Sequence, residues 1–246
     1  MKSHGIQLTS CMAALGLMAC APSASNSASQ ILLFNGDGTS AGSVAAVEKI
    51  LRKAHLEYST VNSRQLNAMG ESQLMACRLM IVPGGNYITM GNSLTTNTAA
   101  NIRHAVQGGL NYLGICAGAL LAGDAPCNSI NLTSGVRFDF YAAVNRGVHK
   151  AAVVVSGVGT QSLEHYWEDG PQFTGWGAVV GNYPDGTPAI VEGNSGKGWL
   201  ILCGVHPEAS ENWRRGMTFA TPTKIANDYA ATLIDAALHG KRLPHF

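Results

Sequence analysis

Gly114-Ile115-Cys116-Ala117-Gly118 sets a cysteine between glycines where the apolar run Leu110 to Ile115 gives way to the apolar stretch Ala117 to Ala122. A strand that bends into a helix over such a pair lifts the intervening residue out of the sheet, a nucleophile elbow with sulfur in place of oxygen. The glycines leave room for the bend and for neighbouring strands, and free N–H groups at the helix start would favour the reactive thiolate. A buried structural thiol would satisfy the same residues without chemistry. About ninety residues on, the apolar run Trp199 to Cys203 ends in Gly204-Val205-His206-Pro207-Glu208. Proline holds His206 extended, and residues two apart in an extended segment share a face. Glu208 can therefore accept a hydrogen bond from the His206 imidazole and fix its tautomer. The bland alternative is an exposed loop histidine beside a capping glutamate. Val82-Pro83-Gly84-Gly85 closes a third apolar run. There the amide of Gly84 or Gly85, with that of Ala117, could form an oxyanion hole, or the loop could be only a turn.

These residues need elements to position them. Ile31 to Phe34 is a short continuous apolar run stopped by Asn35-Gly36-Asp37-Gly38, the pattern of a strand buried on both faces. Val44, Val47, Ile50 and Leu51 recur at helical spacing after capping candidates in Thr39 to Ser43. Leu56 to Val61, Leu79 to Val82 and Leu110 to Ile115 read as further strands, with a helix over 97–107. Strands alternating with helices predict a parallel sheet wound with right-handed crossovers and a binding site at the carboxyl ends of its strands. From about 136 to 203 the pattern turns β-rich, with Val153 to Val155, Phe173 to Val180, Ala189 to Val191 and Trp199 to Cys203. A helix over 222–238 closes the chain.

The chain has 246 residues, 46% hydrophobic and 13% charged, with 16 basic against 15 acidic side chains, which excludes a disordered tail protein and an electrostatic nucleic-acid binder. One α/β domain fits the length. No apolar run reaches the ~20 residues that cross a bilayer. Lys2, a mildly apolar run to Ala19, and then Cys20 read as an export signal over 1–19. Leu17-Met18-Ala19-Cys20 resembles the bacterial lipobox, which predicts lipidation at Cys20 and anchoring to the periplasmic side of the outer membrane. Soluble periplasmic or secreted protein is the alternative. Residues 20–29 hold nothing large to bury and form a tether, and the domain runs over 30–246.

In order and spacing, Val-Pro-Gly-Gly, Gly-Ile-Cys-Ala-Gly-Ala and His-Pro-Glu resemble the class I glutamine amidotransferase-like superfamily. Asn35 to Val44, Cys116 to Ala119, His165 to Phe173 and Gly196 to Gly198 are similar to the N-terminal domain of eukaryotic biotin-protein ligases, which also occurs as stand-alone bacterial proteins. The resemblance covers roughly residues 30–215. It implies a three-layer α/β/α sandwich, flavodoxin-like, with a mainly parallel sheet and a β-rich insertion. It also implies Cys116 as nucleophile, His206 as base, Glu208 as orienting carboxylate, and Gly84 or Gly85 with Ala117 as oxyanion donors. Biotin ligation is not implied, since nothing here resembles the biotin-transferring catalytic domain, and no synthetase domain follows to consume ammonia. Hydrolysis or acyl transfer on a small amide, γ-glutamyl or peptide substrate is the expectation, with no cofactor. A non-catalytic binding module and a thiol redox sensor are the competing readings.

Asn35, Gly36, Tyr166 and Trp167 are candidate substrate contacts. Tyr166, Trp167, Asp169, Phe173 and Trp176 form the densest aromatic cluster, which lines a pocket or packs as a satellite core. The remaining histidines show no metal-ligand spacing and no Cys-x-x-Cys occurs, so no metal is expected. Cys77, Cys127 and Cys203 allow one disulfide, with the pairing left open.

Overall fold

The computed structural model describes residue 1 and residues 30–142, 146–158 and 161–244. The export segment and tether expected over 1–29, Cys20 included, lie outside the described residues apart from Met1. β1 (Ile31–Phe34), β2 (Tyr58–Val61), β3 (Leu79–Val82) and β4 (Asn111–Ile115) alternate with α1 (Ala41–Lys53), short α2 (Ser63–Asn67) and α3 (Glu71–Leu74), α4 (Tyr87–Ser93), α5 (Thr96–Gly108) and α6 (Ala117–Ala122). β5 (Lys150–Val158), β6 (Gln161–Glu168), β7 (Ala178–Asn182), β8 (Pro188–Ser195) and β9 (Gly198–Cys203) then lead to α7 (Thr223–His239).

The strands form one sheet in the order β2-β1-β3-β4-β9-β8-β7-β5-β6. β2, β1, β3, β4 and β9 are parallel, and the pairs from β9 outward to β6 are antiparallel. β1, β3 and β9 are apolar throughout because both their faces are covered, whereas β2, at the edge of the sheet, exposes Ser59 and Thr60. In β1, Ile31 and Leu33 join the core beneath α1 and α7, while Leu32 and Phe34 join the core beneath α2 to α6. The alternation repeats in β3, β4 and β9, giving three layers. Each such Leu or Ile stabilises the fold by about 1.5–3 kcal/mol relative to exposure.

Ser40 caps α1, accepting from the Ser43 amide, and Val44, Val47, Ile50 and Leu51 face the sheet as their spacing predicts. The β-rich stretch differs in three ways from its sequence pattern. It continues the central sheet as an antiparallel wing. β6 is an added strand, hidden in the pattern because His165 occupies an inward position between Leu163 and Trp167. Phe173 to Gly177 is not extended, because Gly175 and Gly177 take φ of 96° and 77° and turn the chain before β7.

Candidate active site

β4 and β9 are parallel neighbours in the register Ile115↔Cys203, so the residues following each strand emerge together at the carboxyl edge of the sheet. Cys116 follows β4, His206 follows β9, and Gly84 and Gly85 follow β3 on the other side of β4. At the bend Cys116 takes φ 49° and ψ −106°, outside the regions open to L residues, a strain of about 1–3 kcal/mol. The bend is over-determined. The Cys116 amide donates to the Cys203 carbonyl at 2.7 Å, and the Cys116 carbonyl accepts from Ala119 and Leu120. A Cβ at Gly118 would lie 2.0 Å from the Val82 carbonyl oxygen, and one at Gly114 would lie 2.8 Å from the Ala119 amide nitrogen. Only glycine fits either position. In its thiol form the sulfur can donate to the Glu168 carbonyl, 3.5 Å away.

His206 is 4% exposed and its Nδ1 stands 2.8 Å from Glu208 Oε1. Burial alone would push the imidazole down. The Glu208 carboxylate, the Cys116 sulfur and side-chain hydrogen bonds to both outweigh it and hold His206 well above its ordinary value. Its backbone is pinned by donation to the Tyr166 carbonyl at 2.8 Å, and Trp213 packs edge-on to the ring at 5.4 Å. Glu208 Oε1 also accepts from the Ser43 hydroxyl at 2.9 Å, and that oxygen accepts from the Gly84 amide at 3.0 Å.

Gly84 therefore is not an oxyanion donor, because its N–H is already bonded to Ser43. Gly85 remains. The Gly84 carbonyl accepts from Ser40, and the N–H of the same planar peptide, which belongs to Gly85, points the opposite way. At Gly85 φ is 151° and a Cβ would lie 2.1 Å from the Gly38 carbonyl oxygen, so the loop requires glycine. Gly85, Ala117, Cys116 and His206 line one open cavity of about 750 Å³. The side chains around it include Asn86, Tyr166, Glu168, Trp213, Lys150 and Arg215.

Of the expected substrate contacts, Tyr166 lines the cavity and donates to Glu168 Oε2 at 2.7 Å. Burial, then the Glu168 carboxylate, hold its phenol well above the ordinary value, so it stays a donor. Trp167 does not reach the cavity. As its inward neighbour along β6 it is fully buried, bonded to the Gly170 carbonyl and packed against Tyr141. Asn35 and Gly36 do not line the cavity either. The Asn35 amide bonds to Val61, and the Gly36 carbonyl accepts from Thr39, closing the turn. In the aromatic cluster Asp169 lines the cavity, Phe173 is core, and Trp176 lines a separate hollow with Trp199. Cys77, Cys116, Cys127 and Cys203 are all free thiols. In the sequence Ser43 stands only among the capping candidates, although a serine four residues before Val47 on an apolar stripe is the signal that marks its inward position.

The α/β fold, with a sharply bent cysteine after one central strand and a histidine and glutamate after its neighbour, is similar to that of glutamine amidotransferase-like proteins. Residues 29–148 match the family described as biotin-protein ligase, N terminal, a stretch that includes the elbow and stops before His206. A glutamine amidotransferase structure is 19% identical over 75% of this chain and 94% of its own, with a TM-score of 0.57. A putative GMP synthase protein from Thermoplasma acidophilum is 11% identical, covering 86% of this chain and 96% of its own at a TM-score of 0.54. A cytoplasmic protein from Salmonella typhimurium is 12% identical, covering 88% and 100% at 0.53. At these identities the likeness is one of fold. No curated protein matches the chain.

Proposed function

We propose that the protein is a thiol-dependent amide hydrolase or acyl transferase, with Cys116 as nucleophile, His206 as acid and base, and Glu208 as orienting carboxylate. The observation that carries this is the buried 2.8 Å contact between His206 Nδ1 and Glu208 Oε1, which leaves Nε2 for the sulfur on the strained elbow. A Cys116 thiolate beside a protonated His206 attacks an amide carbonyl carbon, and the resulting oxyanion is held by the Gly85 and Ala117 amides. His206 gives its proton to the leaving amine as the C–N bond breaks, leaving a thioester. Water, deprotonated by His206, or a second amine then attacks the thioester, and the acyl product leaves with regeneration of the thiol. With six residues, α6 supplies little dipole, so activation of the sulfur rests on His206.

The open 750 Å³ cavity suits a small amide, a γ-glutamyl compound or a short peptide. The lipobox-like Leu17 to Cys20 supports export and a lipid anchor facing the periplasm. The test is release of ammonia or amine from glutamine, γ-glutamyl peptides and cell-wall peptides, with Cys116→Ala as control. Turnover by the wild type and none by the variant is the expected result. Failure of every amide would favour the binding module.

A further inference from the structure

The Ser43 side chain is fully buried, and both its hydrogen bonds lead into the site. A hydroxyl carries one proton, and a carboxylate only accepts. With Gly84 N–H donating to it, the Ser43 oxygen must direct that proton to Glu208 Oε1. Oε1 thus takes two donors, His206 and Ser43, while the buried Oε2 has no partner. Among the described residues, His206 is the one cationic partner within ion-pair reach of Glu208. A carboxylate oxygen held by one donor can pivot about that bond, and the Ser43 hydroxyl, the second donor on Oε1, restrains it. The same hydroxyl fixes the peptide before Gly84, adjoining the peptide that carries the Gly85 N–H.

We propose that Ser43 is a positioning residue: it locks Glu208 Oε1 against His206 and ties that lock to the loop presenting the Gly85 amide. α1 would then be part of the machinery rather than cover for the sheet. The inference rests on the Cys116–His206–Glu208 reading, and its test separates the two.

The full-length protein is treated with iodoacetamide from pH 6 to 10, and alkylation is followed at each cysteine by peptide mass spectrometry. Fully buried Cys203 reports on loss of the fold. Wild type should alkylate Cys116 faster at pH 6.5 than His206→Gln does. Ser43→Ala should be about tenfold slower than wild type at pH 6.5 and equal to it at pH 10, where a thiol ionises without help. The slowing should vanish in a Glu208→Gln background, because Ser43 acts through that carboxylate. Should Ser43→Ala expose Cys203, Ser43→Thr and Ser43→Val, alike in shape, carry the comparison, with threonine fast and valine slow. A fast wild type matched by Ser43→Ala, a slowing that persists at pH 10 or without Glu208, or equal rates for threonine and valine overturns the role of Ser43 and leaves the hydrolase standing. A wild type no faster than His206→Gln overturns the hydrolase itself.

Discussion

Glu208→Gln removes the strongest of the influences that keep His206 protonated while conserving the shape of the side chain. In the wild type the carboxylate, together with the Cys116 sulfur and the hydrogen bonds to both, outweighs burial. In the variant the carboxylate's share is lost while burial stays, so the ring should titrate lower than in the wild type. The lost contact is a 2.8 Å charge-assisted bond between groups 5% and 0% exposed, where solvent screens little. Such bonds contribute roughly 1.5–3 kcal/mol, which corresponds to about a 10- to 100-fold fall in kcat/KM. The direct assay is long-range proton–nitrogen NMR of the His206 ring from pH 5 to 9, which needs no substrate. The expected result is a protonated ring at pH 7 in the wild type and an inflection at lower pH in the variant. An inflection at the same pH in both would refute the electrostatic reasoning.

Three further outcomes are expected. His165 is fully buried with neither ring nitrogen bonded, and burial lowers it to about 3 against an ordinary 6.5, so the unfolded chain binds the extra proton and stability falls as pH drops below 6.5. Denaturant titrations should lose about 2 kcal/mol between pH 6.5 and 5, and His165→Leu should flatten that slope. Cys116→Gly should abolish activity yet raise the unfolding free energy by about 1 kcal/mol, since glycine relieves the elbow; a destabilised variant would show the bend to be unstrained. Cells fed labelled palmitate should label the wild type and not Cys20→Ser, and an unlabelled wild type would remove the lipid anchor.

The parallel half of the fold was legible because strands covered on both faces leave unbroken apolar runs, and Ile31 to Phe34, Leu79 to Val82 and Trp199 to Cys203 all do so. The wing was harder to read. His165 sits on the buried side of β6, so its alternation looks polar, and Phe173 begins an apolar-looking stretch that two positive-φ glycines turn aside. Cys116, His206 and Glu208 stood out because local rules, a glycine-flanked bend and a proline-extended pair, position them without knowledge of the sheet. Ser43 reaches Glu208 across 165 positions of sequence, and which of two adjacent glycines keeps a free amide depends on that contact. Trp167 and Tyr166 differ in role only because neighbouring strand residues face opposite ways, which the unread β6 concealed.

The central claim is a covalent one, that an acyl group passes through the sulfur of Cys116. Acid-quenched mass spectrometry of the wild-type protein during turnover of a released amide should find the Cys116 peptide heavier by that acyl group, with the added mass removed by hydroxylamine. Product accumulating while that peptide keeps its unmodified mass, or turnover surviving Cys116→Ala, would contradict it.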